Sequence, residues 1–228
     1  MSSKHQAALI PIIEETERAS TYVPIPSVWD GEDGELLERM LDFYPHGQPK
    51  RILDATVNGG RFWRGTKRQV IGLDISITHR PSIVADNMRM PFRNEVFDVV
   101  VYDPPHIPNQ GRDNQKDFNT RFGLGDRSSK EHGYSFAYLY PLFVKEARRV
   151  LRPDGVLLCK IADYIHNHRY QWAHLELTQA AIEVGFRACD CIIKIRKGPI
   201  IDPKWAVAHH SKRQHRYWLV FRKSDKCE

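Results

Sequence analysis

The sequence predicts an α/β fold: a doubly wound, mostly parallel sheet of seven strands whose last strand is antiparallel. Short apolar runs alternate with amphipathic helical segments, the order that builds a parallel sheet with helices on both faces. Four successive strand-like runs also end in an aspartate. The 228 residues are enough for one such core. We therefore expect a single domain over residues 22–228, preceded by an N-terminal extension over residues 1–21.

The first half of the chain carries one predicted helix and four predicted strands. Apolar residues at helical spacing predict the helix over 32–44, and Gly47 follows its end. After the first strand we expect a glycine turn over 57–60 and a helix start at Arg61. Residues 22–29 form an extended, proline-braced segment that we expect to pack against the core. The apolar runs predicted as strands are 51–56, 70–75, 83–86 and 97–102.

The second half carries two predicted helices and three predicted strands. The pattern over 134–151 favours a helix that Pro141 either kinks or begins. A turn over 152–155 follows it, and Gly185 ends a further helix over 171–184. The remaining strands are predicted at 156–161, 188–195 and 216–221, with a long basic loop between the last two.

Acidic residues end four of the predicted strands. The carboxyl ends of parallel strands meet at one edge of a sheet, where ligands bind in such folds. A single acid there is as often a helix cap, but a series of four indicates a ligand site. Asp74 follows Asp54 by 20 residues, the offset at which an acid after the second strand reaches the hydroxyls of a ribose. No Gly-x-Gly-x-x-Gly is present, which disfavours a dinucleotide-binding dehydrogenase. The four acids are Asp54, Asp74, Asp86 and Asp103.

The strand over 97–102 ends abruptly at Asp103-Pro104-Pro105-His106. Two consecutive prolines make a stiff turn that lacks backbone donors and keeps its carbonyl oxygens. A carboxylate beside such an oxygen can accept both protons of an NH2 group. The flat ring of His106 either stacks on the ring that carries the amino group or caps the turn. The motif is therefore a candidate site for chemistry on an amino group.

The tetrapeptide from Asp103 resembles the Asp/Asn/Ser-Pro-Pro-aromatic signature of S-adenosylmethionine-dependent methyltransferases that modify exocyclic amino groups of adenine or cytosine in DNA. The resemblance implies a class I, Rossmann-like methyltransferase fold, S-adenosylmethionine as cofactor, and Asp103, Pro104, Pro105 and His106 as catalytic residues. An acid at the first position is commoner among the adenine N6 enzymes. Adenine N6 is therefore the expected target and cytosine N4 the alternative. His106 departs from the Tyr, Phe or Trp that the family usually has.

The same resemblance assigns the cofactor site. Asp54 and the turn after it are assigned to the methionine and ribose portion, Asp74 to the ribose hydroxyls, and Asp86 to the adenine edge. Met88 or Phe92 is assigned to the adenine face. The family's turn has a glycine where this chain has asparagine, which tolerates the left-handed conformation better than other side chains. The implied cofactor-binding residues are Asp54, Thr56, Asn58, Gly59, Gly60, Asp74, Asp86 and Asn87.

The formal net charge of +6 comes from the C-terminal part of the chain. Residues 187–228 hold 11 of the 34 Lys and Arg residues and 4 of the 28 Asp and Glu residues, a net charge of +7 against −1 elsewhere. Such a segment predicts an anionic partner, nucleic acid first and DNA above RNA, with a solvated basic face as the plain alternative. Two long polar loops, at about 107–133 and 194–216, are the predicted target-binding loops. The candidate nucleic-acid-binding residues are Arg112, Lys116, Arg121, Arg196, Lys197, Lys204, Trp205, Lys212 and Arg213.

Other classes of protein have less support. No apolar run approaches the roughly 20 residues of a membrane span, and the first residues do not resemble a signal peptide, so we expect a soluble, cytoplasmic protein. The cysteines and histidines lack ligand spacing, so no metal is expected. The alternatives that stay open are an RNA base methyltransferase, an inactive nucleic-acid-binding protein of this fold, and a methyltransferase acting on protein or a small molecule. The oligomeric state is also open.

Overall fold

The computed structural model describes residues 24–106, 137–166, 168–196, 210–211 and 213–224. These ranges contain helices α1 (Asp33–Phe43), α2 (Tyr140–Val150) and α3 (Ala173–Glu183). Short 3-10 turns lie at Arg61–Trp63, Ile77–His79 and Ala137–Leu139. The strands are β1 (Val28–Trp29), β2 (Ile52–Asp54), β3 (Val70–Asp74), β4 (Ile83–Val84), β5 (Phe97–Tyr102), β6 (Leu151–Ile161), β7 (Tyr164–His166), β8 (Arg169–Gln171), β9 (Phe186–Ile195) and β10 (His215–Lys223).

Eight of these strands form the central sheet, in the order β1-β9-β10-β6-β5-β2-β3-β4. β10 is antiparallel to both of its neighbours, and the other neighbouring pairs are parallel. This arrangement confirms the predicted α/β class with an antiparallel last strand. The seven predicted strands are all present. The eighth is β1, in the proline-braced segment, where Val28 and Trp29 pair with Ile193 and Lys194.

Two predicted elements differ from the structure. The turn predicted over 152–155 is instead part of β6, which begins at Leu151, and the pairing of β5 with β6 shifts register there. The helix predicted to start at Arg61 is only a 3-10 turn ending at Trp63. Arg64 is extended, and Gly65 has a φ of +81°, which a continuing helix does not allow.

Three other predictions need smaller adjustments. The helix predicted over 134–151 begins as α2 at Tyr140, so Pro141 lies in its first turn and marks its beginning. The third predicted strand is shorter than expected, because β4 ends before Asp86. The β7–β8 hairpin was not predicted, since three-residue strands show no readable periodicity.

β5 lies at the centre of the fold and is buried on both faces. Val100 and Tyr102 belong to the core cluster that includes α2 and α3, whereas Val99 and Val101 belong to the cluster that includes α1. Successive side chains of a strand point to opposite faces of the sheet, so β5 packs into both core clusters. The turn that begins at Asp103 is therefore attached to a central, buried strand of the sheet. No helix in the described ranges is long and apolar enough to cross a membrane.

Candidate active site

The Asp-Pro-Pro turn leaves the sheet between β2 and β6, at the carboxyl ends of the parallel strands. β2 is followed in the sheet by β3 and β4 on one side and by β5 on the other, so the strand order reverses here. Such a switch point is where ligands bind in open α/β sheets. The backbone N–H of Asp103 donates to Thr56 Oγ1 at 2.7 Å, and the N–H of Ala55 donates to the carbonyl of Val101 at 2.9 Å. These bonds fix the turn against the loop after β2.

A cavity at this edge brings together residues from the segments after β2, β3, β4 and β5. Eight of the twelve residues predicted for cofactor binding or catalysis line it: Thr56, Asn58, Asp74, Asp86, Asn87, Asp103, Pro104 and Pro105. The apolar part of its wall includes Ile75, Met88, Tyr102 and Leu139. Asp54, Gly59, Gly60 and His106 are not among the lining residues.

Asp54 does not line the cavity but is buried next to it. Its carboxyl group accepts hydrogen bonds from the Trp63 indole at 2.6 Å and from the Thr56 backbone N–H at 3.0 Å, and the residue is only 2% exposed. Burial raises the pKa of Asp54 to about 7, although the bonds from Trp63 and Thr56 oppose that rise. Asp54 thus stabilises the turn after β2 and does not form part of the cavity surface.

The turn after β2 adopts the conformation that its sequence requires. Asn58 has a φ of +47° and Gly60 a φ of +63°, both in the left-handed region. The N–H of Asn58 donates to Asp74 Oδ2 at 2.9 Å, which joins the turn to the end of β3. Gly59 differs from Gly60, because its φ is not positive and an added Cβ would meet no protein atom within 4 Å. Neither the backbone conformation nor the packing of the protein therefore requires glycine at position 59.

The segment after β4 is organised by its own polar side chains. Asp86 Oδ1 accepts from the N–H of Met88 at 2.9 Å, and Asn87 Nδ2 donates to the carbonyl of Ala55 at 3.1 Å. Of the two residues expected at an adenine face, Met88 lines the cavity. Phe92 instead packs edge-on against Phe97, with ring centroids 4.8 Å apart.

Asp103 lies close to two basic side chains. His106 Nε2 is 3.1 Å from Oδ1, but the geometry is poor for a hydrogen bond, so this oxygen has no hydrogen-bond partner within the described ranges. Lys160 Nζ is 4.0 Å from Oδ2. Burial works against ionisation of Asp103, but His106, Lys160 and Arg216 together lower its pKa. Burial lowers the pKa of His106, although the contact with Asp103 opposes that fall.

The contacts of the buried Lys160 side chain were not predicted from the sequence. Its side chain is wholly buried, and Nζ lies 2.6 Å from Asp33 Oδ2. The other oxygen of Asp33 accepts from the Trp218 indole at 3.1 Å, and the Phe62 ring centroid is 4.9 Å from the ammonium. One signal could have identified the site: Lys160 is a charged residue inside the apolar run of β6.

An aromatic cluster lies just past the carboxyl end of β6. Buried Asp163 holds two rings, through His174 Nδ1 at 2.8 Å and the Tyr170 hydroxyl at 3.0 Å. Burial and the bond to Asp163 raise the pKa of Tyr170 to about 12. His174 stacks on Tyr217 with centroids 4.1 Å apart, and Trp172 lies 4.6 Å from Tyr170. Trp172 is 53% exposed, so the cluster presents an aromatic surface to solvent.

Two of the candidate nucleic-acid-binding residues fall where the structure is described. Arg196 follows β9 and lines a second cavity, whose other charged residues are Lys194, Arg216, Asp30, Glu32 and Asp33. Arg213 precedes β10, and its charge acts on Tyr170 in the aromatic cluster. The other seven lie outside the described residues: Arg112, Lys116, Arg121, Lys197, Lys204, Trp205 and Lys212. Among the described side chains, no group of three or more His, Cys, Asp or Glu could hold a metal ion.

Comparison with known proteins establishes the fold. No family model matches the chain, and no curated protein matches it. The cyclase SpnF is 13% identical, with a TM-score of 0.53 over 86% of this chain and 86% of its own. A protein described as a methyltransferase, from the complex with the Haloferax volcanii Trm112 methyltransferase activator, is 13% identical, with a TM-score of 0.54 over 84% of this chain and 90% of its own. A protein described as a DNA modification methylase from Thermus thermophilus is 19% identical, with a TM-score of 0.41 over 60% of this chain and 49% of its own.

The fold is the Rossmann-like fold of class I methyltransferases. Identities this low establish the fold and nothing about the reaction, and the same fold occurs in a cyclase. The match also spans only about half the length of the Thermus thermophilus protein.

Proposed function

We propose that the protein transfers a methyl group from S-adenosylmethionine to the exocyclic amino group of a nucleobase, with adenine N6 of DNA as the foremost target. The observation that carries the proposal is the shared cavity. Asp103, Pro104 and Pro105 form one part of its wall, and polar side chains at the ends of β3 and β4 form another. The cavity would then place an acceptor site for an amino group next to a binding site for a nucleoside-type cofactor.

The residues that line the cavity fit S-adenosylmethionine. Asp74 would accept the ribose hydroxyls, and Asp86 with Asn87 would meet the adenine edge, against the apolar side chain of Met88. The space beside Gly59 is open, so a ligand could approach the backbone there. When bound, S-adenosylmethionine supplies an electrophilic methyl group.

The chemistry left to the protein is activation of a weak nucleophile. The lone pair of an exocyclic amino nitrogen is delocalised into the base. The Asp103 carboxylate would accept one amino proton and the Pro104 carbonyl the other, which localises the lone pair on the nitrogen. A nitrogen–carbon bond would form as the sulfur–carbon bond of the cofactor breaks, and the nitrogen would then release one proton, which the Asp103 carboxylate would accept. Loss of one such preorganised contact costs about 10²–10³-fold in kcat in comparable sites.

The aromatic cluster supports a nucleic acid rather than a small molecule as substrate. It lies beyond β6, on the opposite side of β5 from the cavity residues of β2, β3 and β4. Trp172 and Tyr170 offer ring faces on which bases can stack, and Arg169 and Arg213 carry positive charge for phosphates. RNA is the second candidate, because stacking of this kind does not distinguish DNA from RNA.

Mass analysis of nucleosides tests the proposal directly. The protein is incubated with S-adenosylmethionine and either unmethylated duplex DNA or structured RNA, and the nucleic acid is then digested. We expect N6-methyladenosine in its deoxy form from DNA. Asp103→Asn should reduce the yield by at least about 10²-fold, since the amide has neither the negative charge that would stabilise the nitrogen nor the basicity to take up its proton.

Asp154→Asn is the matched control, because it makes the same chemical change at an exposed residue with a φ of +60°, which Asn tolerates. This variant should give the wild-type yield. Methylated RNA without methylated DNA would move the assignment to the RNA alternative. Absence of any methylated base, with binding retained, would overturn methyl transfer in favour of an inactive nucleic-acid-binding protein.

A further inference from the structure

A buried lysine on the neighbouring strand faces the turn at Asp103. Tyr102 of β5 pairs with Cys159 of β6, which places Lys160 beside Asp103. The ammonium of Lys160 lies 2.6 Å from Asp33 Oδ2 and 4.0 Å from Asp103 Oδ2, and none of the side chain is exposed. One cation is therefore in range of two carboxylates, which come from α1 and from the end of β5.

The aromatic residues around Lys160 leave few other partners for its charge. The ammonium lies 4.9 Å from the Phe62 ring centroid and 5.9 Å from that of Trp218. A buried ammonium is costly unless it is paired and hydrogen-bonded, and Asp33 meets that need. Trp218 also donates to the second oxygen of Asp33, which orients this carboxylate toward the lysine. Asp33 thus fixes Lys160 in place independently of Asp103.

The charges of the three groups do not cancel. One ammonium cannot neutralise both of the carboxylates that it faces. A lysine paired with Asp103 alone would neutralise the group that has to face a nitrogen becoming positive. Lys160 favours the charged form of Asp103, while sharing the lysine with Asp33 limits that effect and leaves Asp103 a field that can act on the substrate.

We propose that Lys160 is a positioning residue, which acts through Asp103 by keeping its carboxylate ionised and directed at the cavity, and that Asp33 sets how strongly it does so. The consequence for turnover rests on the proposed methyl transfer. The electrostatic interaction of Lys160 with Asp33 and Asp103 does not depend on that proposed function.

Other charged groups also face Asp103. Burial opposes its ionisation, while His106 in the turn, Lys160 on β6 and Arg216 on β10 lower its pKa. Asp54 at the end of β2 is the acidic neighbour, since the charge of Asp103 contributes to its raised pKa. A test must therefore change Lys160 while the other groups stay in place.

Titration of the Asp103 carboxyl carbon by 13C NMR, with its signal assigned by its loss in Asp103→Asn, measures the effect without turnover. In Lys160→Met, which keeps the length of the side chain and removes the charge, Asp103 should titrate at higher pH than in the wild type. In Asp33→Asn, which keeps an acceptor for Trp218, the ammonium is left to Asp103, which should titrate at lower pH. A purely structural role for Lys160 gives no reason for shifts in opposite directions.

Lys223→Met is the matched control. Lys223 is also buried and paired, with Nζ 2.8 Å from the Leu151 carbonyl oxygen and 3.1 Å from Glu95 Oε1, but it lies at the other end of the sheet. This change should leave the titration of Asp103 where it is. An unchanged midpoint in Lys160→Met, or a shift to higher pH in Asp33→Asn, would overturn the proposal. If Lys160→Met does not fold, Lys160→Gln, which also removes the charge, takes its place, because loss of the Asp33 charge alone would also lower the pKa of Asp103.

The pH profile of kcat provides the functional readout. The acid limb of methyl transfer should move to higher pH in Lys160→Met and to lower pH in Asp33→Asn, with KM for S-adenosylmethionine unchanged within about twofold. A wild-type protein that methylates no base would overturn the proposed function. The NMR shifts would still decide the relation between Lys160 and Asp103.

Discussion

Asp54→Asn removes a carboxyl group that burial has made hard to ionise. The pKa of Asp54 rises from its usual 3.8 to about 7, mainly through burial. Between these two pH values the folded protein holds a proton that the unfolded chain has released, so rising pH favours the unfolded chain. The stabilising contribution of protonated Asp54 is therefore full below about pH 4 and is lost as the pH rises through about 7.

The size of the effect follows from the shift and from the two hydrogen bonds. A shift of about 3 pKa units corresponds to about 4 kcal/mol of stability lost between about pH 4 and about pH 8, as an upper bound. The amide introduced by Asp54→Asn would keep one oxygen to accept from Thr56, but its NH2 group cannot accept from the Trp63 indole, which costs about 1 kcal/mol. We therefore expect Asp54→Asn to be less stable than the wild type by about 1 kcal/mol near pH 4 and more stable by about 1–3 kcal/mol near pH 8.

Urea unfolding at a series of pH values measures this crossover. The quantity of interest is the free energy of unfolding of the variant minus that of the wild type, because pH effects common to both proteins cancel. Asp154→Asn, at an exposed turn, should give a difference that does not change with pH. Parallel stability curves for Asp54→Asn and the wild type would refute the raised pKa and, with it, the assignment of Asp54 to the interior of the turn.

Two further variants test the two sides of the site. Gly59→Ala should leave the free energy of unfolding within about 0.5 kcal/mol, because an added Cβ meets no protein atom within 4 Å, yet it should weaken binding of S-adenosylmethionine measured by calorimetry if the cofactor approaches this turn. Unchanged cofactor affinity would place the ligand away from Gly59. Trp172→Ala should weaken binding of an oligonucleotide about tenfold at fixed salt in a fluorescence anisotropy assay, consistent with about 1–3 kcal/mol for one stacked base. Leu175→Ala, at an equally exposed residue on α3, is its control and should have no effect, and equal losses in both variants would contradict a stacking role.

The parts of the site that could be predicted are those that the strand pattern places. Asp74, Asp86 and Asp103 each follow an apolar run, and parallel strands bring such ends to one edge whatever the details of the loops. The left-handed conformation of Asn58 was likewise readable, because few other residues with a side chain tolerate it. These inferences need only the local sequence and the sheet.

The parts that could not be predicted depend on contacts between distant residues. Asp54 follows the same strand-end pattern as the other acids, but the Trp63 indole reaches its carboxyl group and draws it into the fold. Asp33 meets Lys160 across 127 positions of sequence, which no local pattern encodes. The aromatic cluster depends on Tyr217 of β10 meeting His174 of α3. The sequence therefore predicts the edge of the sheet and most of the residues that line the cavity, but not the long-range contacts that hold Asp54 and Lys160.

The Asp-Pro-Pro turn is held from both sides by its neighbouring strands. On the β2 side, the Thr56 hydroxyl accepts from the backbone N–H of Asp103 at 2.7 Å and fixes where the turn begins. On the β6 side, Lys160 Nζ lies 4.0 Å from the Asp103 carboxylate and also pairs with Asp33 at 2.6 Å. A catalytic acceptor has to be held within a fraction of an ångström while staying open to its substrate. The backbone of Asp103 is thus fixed from one side and its charge from the other, while the residue still lines the cavity.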